Sequence, residues 1–473
     1  MYYGKPNKSL DDKAIEILKT GVSQICKIKS RIFSVDNEEV TATPIEIEQF
    51  TVAQLFEREF HDKITITLNI NLEEAMLLLT NYQNLRMTFR IEHVTQHYYQ
   101  TIESIEQEVR EFIAIIHNPT DLLKAIQKVE LVASKNPDDQ GEFKPDDIRS
   151  RRYSLQVELL NEKLMEFRTK PVSNLGSGTD SNAMLVGAAL AVGLDSKQIE
   201  FAKAPDNKRK MNSIPIPPMQ TMSSMFDLMQ ESYGTYKNGM EYYYTEDKLR
   251  IYPGYDTDPQ SERILHLYRL PKESYPGDCK YHYQDEEGNL HVLIIDDVDI
   301  KNLADASVES SGNYQVARRS DAGLDVDVIQ NGKDAIIRNN NLITMAAQNE
   351  NISTSNKTAA RYMPTTNNAL MMSSDMASTF CKILSTGWRM AWPWLVIPGM
   401  KVMYHYEEVS GLKVTTGILS SIECSLAKID GTVGDHNSYA WGANIIARLS
   451  PNEQDEEKLS TDVLSALKKT SSF

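Results

Sequence analysis

The sequence predicts an α+β fold in which two β-rich regions flank a mixed region of helices and strands. Three observations carry this prediction. Apolar and polar residues alternate through much of residues 41–94, as in half-buried strands. A Pro-rich entry, an amphipathic helix and an aromatic strand follow one another within residues 211–270. Residues 394–449 are again β-rich, with two segments flanking a turn at Ser410–Gly411, and this arrangement predicts a hairpin.

Composition and charge exclude several classes of protein. The 473 residues favour about two to four domains. Fifty Lys and Arg against 66 Asp and Glu give a net charge of −16, which disfavours stable binding to nucleic-acid phosphates or anionic lipid. No apolar run is long enough for a membrane span, and the polar start MYYGKPNKSLDDK does not resemble a secretory signal. The scattered cysteines predict reduced thiols rather than a disulfide scaffold or a zinc ribbon; they are Cys26, Cys279, Cys381 and Cys424.

The N-terminal third of the chain predicts alternating helices and strands. Residues 1–40 hold a helical stretch, LDDKAIEILKTGVSQICKI. TPIEIEQF and DKITITLNI predict strands that are joined by a short helix or tight connection, TVAQLFEREF. A helix follows, with Asn71 as its cap and Glu74 at the capping-box position. LRMTFRIEHV then predicts another strand. The apolar faces of the last two strands are Ile64, Ile66, Leu68 and Ile70, and Leu85, Met87, Phe89 and Ile91.

The remaining elements are predicted from the pattern of apolar and polar residues and from turn residues. Residues 101–150 predict a charged helical insertion, and RYSLQVELLNEKLMEF predicts a strand. A Gly/Ser turn precedes a small-residue helix in SNLGSGTDSNAMLVGAALAVGL. HLYRLPKE and HVLIIDDVDI predict strands, and residues 346–375, which are rich in Asn, Ser and Thr, predict an exposed loop or a segment ordered by a partner.

No catalytic, cofactor-binding or metal-binding set is predicted. Gly176 and Gly178 precede a helix, but neither a Walker lysine nor a third glycine follows, so a turn with a helix cap is favoured over a phosphate site. His93 and His97 are four residues apart, yet His93 continues a strand, on which such residues are well separated. Asp296, Asp297 and Asp299 predict a solvated strand end, and Tyr242, Tyr243 and Tyr244 alternate between two faces of a strand.

Three segments together resemble the baseplate hub proteins of contractile-tailed, T-even-like bacteriophages. TVAQLFEREFHDKITITLNINLEEAMLLLTNYQNLRMTFRIEHV resembles the opening β-domain of that family. NSIPIPPMQTMSSMFDLMQESYGTYKNGMEYYYTEDKLRIYP is similar to its Pro-rich entry, helix, turn and aromatic strand, and the turn motif here is Tyr233, Gly234, Tyr236 and Gly239. IPGMKVMYHYEEVSGLKVTTGILSSIECSLA looks like the closing hairpin of its second barrel.

The resemblance implies an α+β fold with two tail-tube-like β-barrel domains, an intervening α/β domain and insertions. The expected divisions are an N-terminal helical arm (1–40), a first tube-like domain (41–170) with the helical insertion at 101–150, an α/β domain (171–270), mixed strands with a polar loop (271–375), a second tube-like domain (376–450) and a C-terminal tail (451–473).

The resemblance also implies a structural role without enzymatic activity. A homotrimer would join the sixfold tail tube to the threefold central spike in the virion baseplate, contact the wedge proteins, and form part of the channel through which DNA passes at genome ejection. Such a protein is assembled in the host cytoplasm. Another baseplate or tail protein (a wedge or a terminator), a tail-associated hydrolase and a cell-encoded injection system remain alternatives. Acidic residues expected to include channel-lining side chains are Glu46, Glu48, Glu158 and Glu423.

Overall fold

The computed structural model describes residues 23–455 of the chain with several interruptions. The residues left out between these limits are 38, 58–59, 97–104, 118, 120–122, 125–151, 173–174, 177, 209, 211–213, 216–219, 270–281, 295–297, 303–313, 321–322, 330–337, 340–341, 344–345, 348–380, 390, 409–410, 429–437 and 451–453.

The described elements are mostly strands, with four α-helices among them. The helices are α1 (Leu72–Thr80), α2 (Glu162–Thr169), α3 (Ser181–Ala191) and α4 (Met222–Tyr233). The strands of the first half are β1 (Ser23–Ser34), β2 (Thr41–Ala42), β3 (Glu46–Leu55), β4 (Lys63–Asn71), β5 (Leu85–Gln96), β6 (Ile105–Ile116), β7 (Arg152–Leu160), β8 (Leu175–Gly176), β9 (Ile199–Phe201), β10 (Ile214–Pro215), β11 (Met240–Thr245) and β12 (Lys248–Pro253).

The second half continues this pattern with both long and very short strands. They are β13 (Ile264–Arg269), β14 (His282–Gln284), β15 (Leu290–Ile294), β16 (Asp299–Asn302), β17 (Tyr314–Ser320), β18 (Gly323–Ile329), β19 (Arg338–Asn339), β20 (Leu342–Ile343), β21 (Ala346–Ala347), β22 (Lys382–Arg389), β23 (Lys401–Glu408), β24 (Gly411–Lys428), β25 (Ser438–Leu449) and β26 (Gln454–Asp455). Two 3-10 turns, Ser196–Gln198 and Pro393–Leu395, lie among them.

Eight antiparallel strands close the first barrel, in the order β24–β3–β4–β7–β6–β5–β1–β25 and back to β24. Alternate residues of β4 and β5 point into it and are buried, as strand geometry requires. Phe50 stacks on Phe89 at 5.2 Å and meets the edge of Trp441 at 5.0 Å. The first barrel is therefore a packed core rather than a pore.

The second barrel is built on the same two C-terminal strands. Its order is β16–β22–β25–β24–β23–β13–β15–β14, and among the described residues β14 and β16 are not joined by hydrogen bonds. Strands β13, β15 and β23 run parallel to one another, unlike any pair in the first barrel. Its interior holds Leu265, Leu267, Val292, Leu384 and Trp388.

An α/β unit lies in sequence between the strands of the two barrels. Helices α3 and α4 pack against the small sheet β11–β12–β9, with Leu185, Met225, Phe226, Leu249 and Ile251 in a core of their own. The fold is therefore α+β, with two β-barrels and an α/β domain, as predicted.

Several local predictions are confirmed. The predicted inward faces of β4 and β5 are buried throughout. Helix α1 begins at the capping box, in which the Asn71 side chain accepts from the Glu74 amide at 2.8 Å. Helices α3 and α4 lie where the sequence predicts them, and β23 and β24 form the predicted hairpin with Glu408 opposite Gly411.

Four local predictions are wrong, and in three of them strand pairing overrides the local hydrophobic pattern. Residues 23–28 of the expected N-terminal helix belong to β1, which pairs with β5 along its whole length. Residues 51–55 extend β3 rather than forming a helix or connection. Residues 105–116, inside the expected helical insertion, form β6. The strand predicted from residue 152 ends at Leu160, after which Glu162–Thr169 is helical.

Some predictions fall outside the described residues. These are the helix over residues 10–22, most of the polar loop 346–375, the tail after 455, and the side chains of His93, His97, Cys279, Asp296 and Asp297. The domain boundaries stay predictions. No helix in the described part of the chain is long and apolar enough to cross a membrane.

Candidate functional site: the wall shared by the two barrels

One long hairpin, β24–β25, belongs to both barrels. The first part of β24, up to Ile418, pairs with β23 of the second barrel, and the part from Ser421 pairs with β3 of the first. Strand β25 likewise pairs with β1 at Tyr439 and with β22 from Gly442 onward. A register shift between Leu419 and Ser421 marks the change of partner. Such a bulge bends a strand and increases its twist, so it lets one strand serve two barrels.

Gly417 lies on β24 close to the place where the two barrels meet, opposite Val402 of β23 and Leu449 of β25. A Cβ atom at this position would lie 2.3 Å from the carbonyl oxygen of Arg448 and 2.9 Å from the Cα of Leu449. Both atoms belong to backbone that the sheet holds in place. Glycine is therefore required at residue 417 by close approach rather than by its backbone angles.

Seven strands form one continuous wall across the two barrels, in the order β16–β22–β25–β24–β3–β4–β7. On the face away from the barrel interiors, strand pairing places Asn444 beside Glu423, Glu423 beside Ala53 and Ala53 beside Lys63. A groove of about 610 Å³ lies on this face where the barrels join, and its lining includes Thr51, Thr65, Arg389, Ser425 and Gly442. The wall is thus concave at the seam, the place where the two barrels join at β24 and β25, and it is lined there mainly by short polar side chains.

The four acidic residues predicted to include channel-lining side chains all lie on or beside this face, with different surroundings. Glu423 is exposed and lines the groove. Glu158 pairs across the strands with Thr65, and its carboxylate lies 3.4 Å from His117 Nε2. Glu48 occupies a bulge of β3 and accepts from Ser154 Oγ at 2.9 Å.

Glu46 differs from the other three because cations hold it. Lys428 Nζ donates to Glu46 Oε1 at 2.6 Å, and Arg152 lies 3.7 Å away. The hydrogen bond from Lys428 lowers the pKa of the Glu46 carboxyl. Lys63 and Arg389 also lie on the groove, so the wall carries both signs of charge and is not uniformly acidic.

A buried charge cluster attaches the α/β unit to the wall where β25 and β3 end. Arg448 of β25 is 5% exposed and forms an ion pair with Glu57, just beyond β3. The same guanidinium donates to the Gly254 carbonyl at 2.8 Å and lies 3.7 Å from the centre of the Tyr255 ring. Glu241 of β11 approaches Arg448 at 3.9 Å.

Two carboxylates therefore share one arginine in a poorly solvated place. Burial raises the pKa of Glu241 to about 8; Arg448 opposes this rise, and Glu57 adds to it. The buried position of Glu241 therefore favours its neutral form.

The aromatic strand of the α/β unit forms a second attachment to the first barrel. Tyr243 OH donates to Asp62 Oδ1 at 2.9 Å, and its ring meets the edge of Phe56 at 4.8 Å. Tyr242 and Tyr244 point the other way, into the core of the α/β unit, so the predicted alternation is confirmed. Both faces of the strand are thus used inside this chain.

The turn that precedes this strand has the backbone that its glycines suggest. Gly234 and Gly239 have φ of 63° and 73°, in the left-handed region. The Tyr236 backbone exchanges two hydrogen bonds with the Gln230 side chain, at 2.9 and 3.0 Å. The turn motif therefore fixes the end of α4 against the start of β11.

The Gly-rich turn before α3 ends in a helix cap. Asp180 caps α3 by accepting from the Ala183 amide at 2.9 Å, which confirms the helix-cap interpretation of the Gly-rich turn. Cys26, Cys381 and Cys424 are free and buried, and burial raises the pKa of each thiol. No group of three or more His, Cys, Asp or Glu among the described residues is placed to hold a metal ion.

Sequence reasoning missed Arg448 and the seam. Arg448 stands alone in the apolar run ANIIARLS, and a single charge in such a run is the signal that could have indicated a buried ion pair. The seam left no comparable local signal, because its strands lie far apart in the sequence.

Solved structures similar to this chain include tail and secretion proteins of low sequence identity. The tail protein from Neisseria meningitidis MC58 is 10% identical, with a TM-score of 0.44 over 91% of this chain and 97% of that chain. A chain of the half-lidded Francisella PdpA–VgrG complex is 11% identical, with a TM-score of 0.36 over 95% of this chain but only 63% of that chain. An E. coli component of the type VI secretion system, which has structural similarity to the T4 bacteriophage tail proteins gp27 and gp5, is 7% identical, with a TM-score of 0.36 over 85% of this chain and 73% of that chain. No family model and no curated protein sequence matches the chain.

Proposed function

We propose that this protein is a structural component of a contractile tail, the baseplate hub, which joins the sixfold tail tube to the threefold central spike. The supporting observation is the shared wall. One chain builds two barrels on a single hairpin, so three copies related by a threefold axis supply six barrels in a ring. A ring of this kind has sixfold character on one side and threefold symmetry on the other.

The concave face of the wall is the proposed channel lining. It is the face on which the seven strands run without interruption from one barrel to the other, and the groove lies on it. Thr, Ser, Gly and Ala side chains leave space for a passing duplex, and the exposed Glu423 repels phosphate. DNA would thus be a transient occupant of the lumen rather than a ligand.

The partners follow from this position. The tail tube protein would stack on the six-barrel side, the central spike protein would attach on the threefold side, and wedge proteins would surround the homotrimer in the virion baseplate. The hub would be assembled in the host cytoplasm. Copy number separates this proposal from a wedge or terminator protein, which need not form a ring of three.

Gly442 allows a direct test of the channel. A Cβ at this position meets no atom within 4 Å and Gly442 lines the groove, so Gly442→Trp should fold normally and narrow the lumen at three places. Gly187→Trp is the matched control, because Gly187 is also open but lies on α3. We expect three copies by native mass spectrometry in both variants, with genome ejection slowed only by Gly442→Trp. A stable dimer or hexamer, or equal ejection in both variants, contradicts the proposal.

The proposed role includes no enzymatic activity. The observation behind this is that the described residues hold neither a metal-ligand cluster nor an accessible thiol. Purified protein should release no product from peptidoglycan, nucleotides or model esters above a heat-denatured control. Turnover that is lost on substitution of a single residue would instead support the tail-associated hydrolase.

A further inference from the structure

The continuous wall has two ends, and both lack a neighbouring strand within the described part of the chain. At one end, β16 pairs with β22 on one side only. At the other end, β7 pairs with β4 from Arg152 onward, but with β6 only from Val157 to Leu160. Among the described residues, therefore, no strand pairs with residues 152–155 of β7 on that side or with the outer side of β16.

Unpaired edges of this kind attract other strands. Exposed strand edges pair with further chains unless they are very short, covered, bulged, or blocked by proline or by charged side chains, especially lysine. Neither β16 (DIKN) nor the first part of β7 (RYSL) contains proline, but β16 has only four residues and carries Lys301. These edges are therefore suited to a partner strand with a matching charge pattern rather than to unspecific pairing.

The direction of the two edges fits head-to-tail pairing between copies. Every step along the wall from β16 to β7 is antiparallel, and there are six steps, so the two strands point the same way. Rotation about a threefold axis keeps strand direction. The β16 of one copy would therefore lie parallel to the β7 of the next, and the contact would be heterologous and would close into a ring.

The stagger of the two edges also fits a ring of tilted strands. Following the paired residues from strand to strand across the wall connects Asp299 of β16 with Leu55 of β3. The same procedure from the unpaired part of β7 reaches Glu46, which is nine residues away from Leu55 on β3. Over seven strands, this offset corresponds to a tilt of about 40°, within the range of closed barrels. A ring needs such a stagger to close without an axial step.

The side chains of the two edges are complementary on both faces. Toward the barrel interiors, Ile300 is 42% exposed at the open edge of the second barrel, and Tyr153 is half-buried beside β4. Toward the wall face, β16 presents Asp299 and Lys301, which form an exposed ion pair with each other at 3.0 Å, and β7 presents Arg152, whose side chain is 56% exposed. Pairing would bury an exposed apolar side chain and bring Arg152 near Asp299.

We propose that β16 of one copy pairs with the N-terminal half of β7 in a second copy, so that three walls join into one closed sheet around the lumen. This inference rests on the proposed ring of three copies and specifies the surface that holds it together. The sheet would then run through three seams inside chains and three junctions between them.

Cysteine cross-linking tests the contact directly. Lys301→Cys with Ser154→Cys, in a Cys279→Ser background, should give covalent dimers and trimers with a short bismaleimide. Each single variant alone should stay monomeric on a denaturing gel. The matched control pairs Lys301→Cys with Lys197→Cys, because Lys197 is exposed on the 3-10 turn Ser196–Gln198 of the α/β unit and belongs to neither edge. Cross-linking of Lys301→Cys to itself would indicate a twofold contact and overturn the proposal.

Charge exchange provides an independent readout. Arg152→Asp or Asp299→Arg alone should raise the concentration needed for half-assembly by about fivefold at low salt, and the double variant should recover most of the loss. Recovery cannot come from the contact of Arg152 with Glu46 inside the chain, because the double variant does not restore it. Single variants without effect, or a double variant that is worse than both, contradict the pairing.

The outcomes separate the two levels of proposal. Three copies by native mass spectrometry with no cross-link and no charge effect would reject the edge pairing and leave the hub intact. Failure to form three copies with the tail partners present would reject the hub itself.

Discussion

The two barrels share a hairpin but differ in how completely they are closed. The first is a ring of antiparallel strands, and its aromatic core of Phe50, Phe89 and Trp441 is continuous. The second contains three parallel strands and is open between β14 and β16 in the described part of the chain. A closed barrel has few edges left to share, whereas an open one keeps a strand that can pair with another chain.

The interiors of the two barrels also differ in how well their polar side chains are hydrogen-bonded. In the first barrel the carboxyl of the half-buried Asp62 accepts from Gln54 Nε2 at 3.0 Å and from Tyr243 OH at 2.9 Å. In the second, His282 is buried against the edge of Trp388, and neither ring nitrogen has a hydrogen-bond partner among the described residues. Burial lowers the pKa of His282 to about 4. Buried polar atoms without a partner occur in both barrels among the described residues, since Gln54 Oε1 and Tyr153 OH of the first also lack one, but they are more numerous in the second.

The largest expected effect comes from removing the central tryptophan of each barrel. Trp441→Ala should lower the free energy of unfolding by about 3–5 kcal/mol, since the ring is fully buried against Phe50, Trp392 and Trp394. Trp388→Ala should cost less and act first on the second barrel. Denaturant unfolding followed by hydrogen exchange measures both. An equal loss of protection in both barrels for Trp388→Ala would mean that the barrels are not distinct in stability.

The next largest change in stability is expected at the seam between the two barrels. Gly417→Ala forces a Cβ against fixed backbone and should cost about 1–3 kcal/mol. Gly442→Ala, on the partner strand of the same hairpin, meets open space and should change stability by less than about 0.5 kcal/mol. Thermal denaturation of the two variants provides the measurement. Similar melting temperatures would show that the strands at residue 417 can move apart at little cost.

A smaller effect is expected where the α/β unit meets the wall, and it depends on pH. The pKa of Glu241 is raised from 4.5 in the unfolded chain to about 8 in the folded one, so the folded state binds the proton more tightly. The contribution to stability is full below about pH 4.5, falls as the pH rises toward 8, and is gone above it. Glu241→Gln removes this titration.

The test compares melting temperatures of Glu241→Gln and the wild type from pH 5 to pH 9. The variant should gain stability relative to the wild type as the pH rises through this range, and Glu262→Gln, at an exposed position, should run parallel to the wild type. A constant difference between Glu241→Gln and the wild type at every pH would show that Glu241 is not protonated in the folded protein.

The smallest effect concerns charge on the wall. Glu423→Lys places three positive side chains around the proposed lumen, where they can contact passing phosphates. Ejection should slow at low salt and recover partly at high salt. Glu246→Lys, on a turn of the α/β unit, is the control. Identical ejection kinetics at all salt concentrations would leave the acidic composition as a matter of solubility.

Local sequence predicted the elements that local forces build. The capping box of Asn71 and Glu74, the alternation in β4 and the hairpin around residue 410 each depend on neighbours in the chain, and all are confirmed. The sequence favours a helix at the start of β1, which is stabilised by β5 and β25, strands that are distant in sequence. It also favours a helix at β6, in which exposed charged residues such as Glu111 stand between the apolar ones; this strand is stabilised by the preceding strand β5 and by β7.

The wall itself could not be predicted, because its strands come from segments that are far apart in the sequence and no single segment indicates the pairing. The pair of Lys428 and Glu46 joins residues 382 positions apart. The candidate acids were identified by residue type and strand pattern, but alternation gives two faces without saying which is concave. The concave face is determined by the pairing of β24 with both β3 and β23, which are distant from one another in sequence.

The shared hairpin also determines when the first barrel can form during synthesis. Its opening strand begins at Ser23, yet the ring closes only through β24 and β25, at residues 411–449. Until the ribosome has released that hairpin, strands β1 and β3 each lack a neighbour, and their edges are open to wrong partners. Contacts this distant in sequence form slowly, and unfinished sheets of this kind aggregate readily. The protein is therefore expected to fold largely after translation and to depend on chaperones that hold the early strands apart.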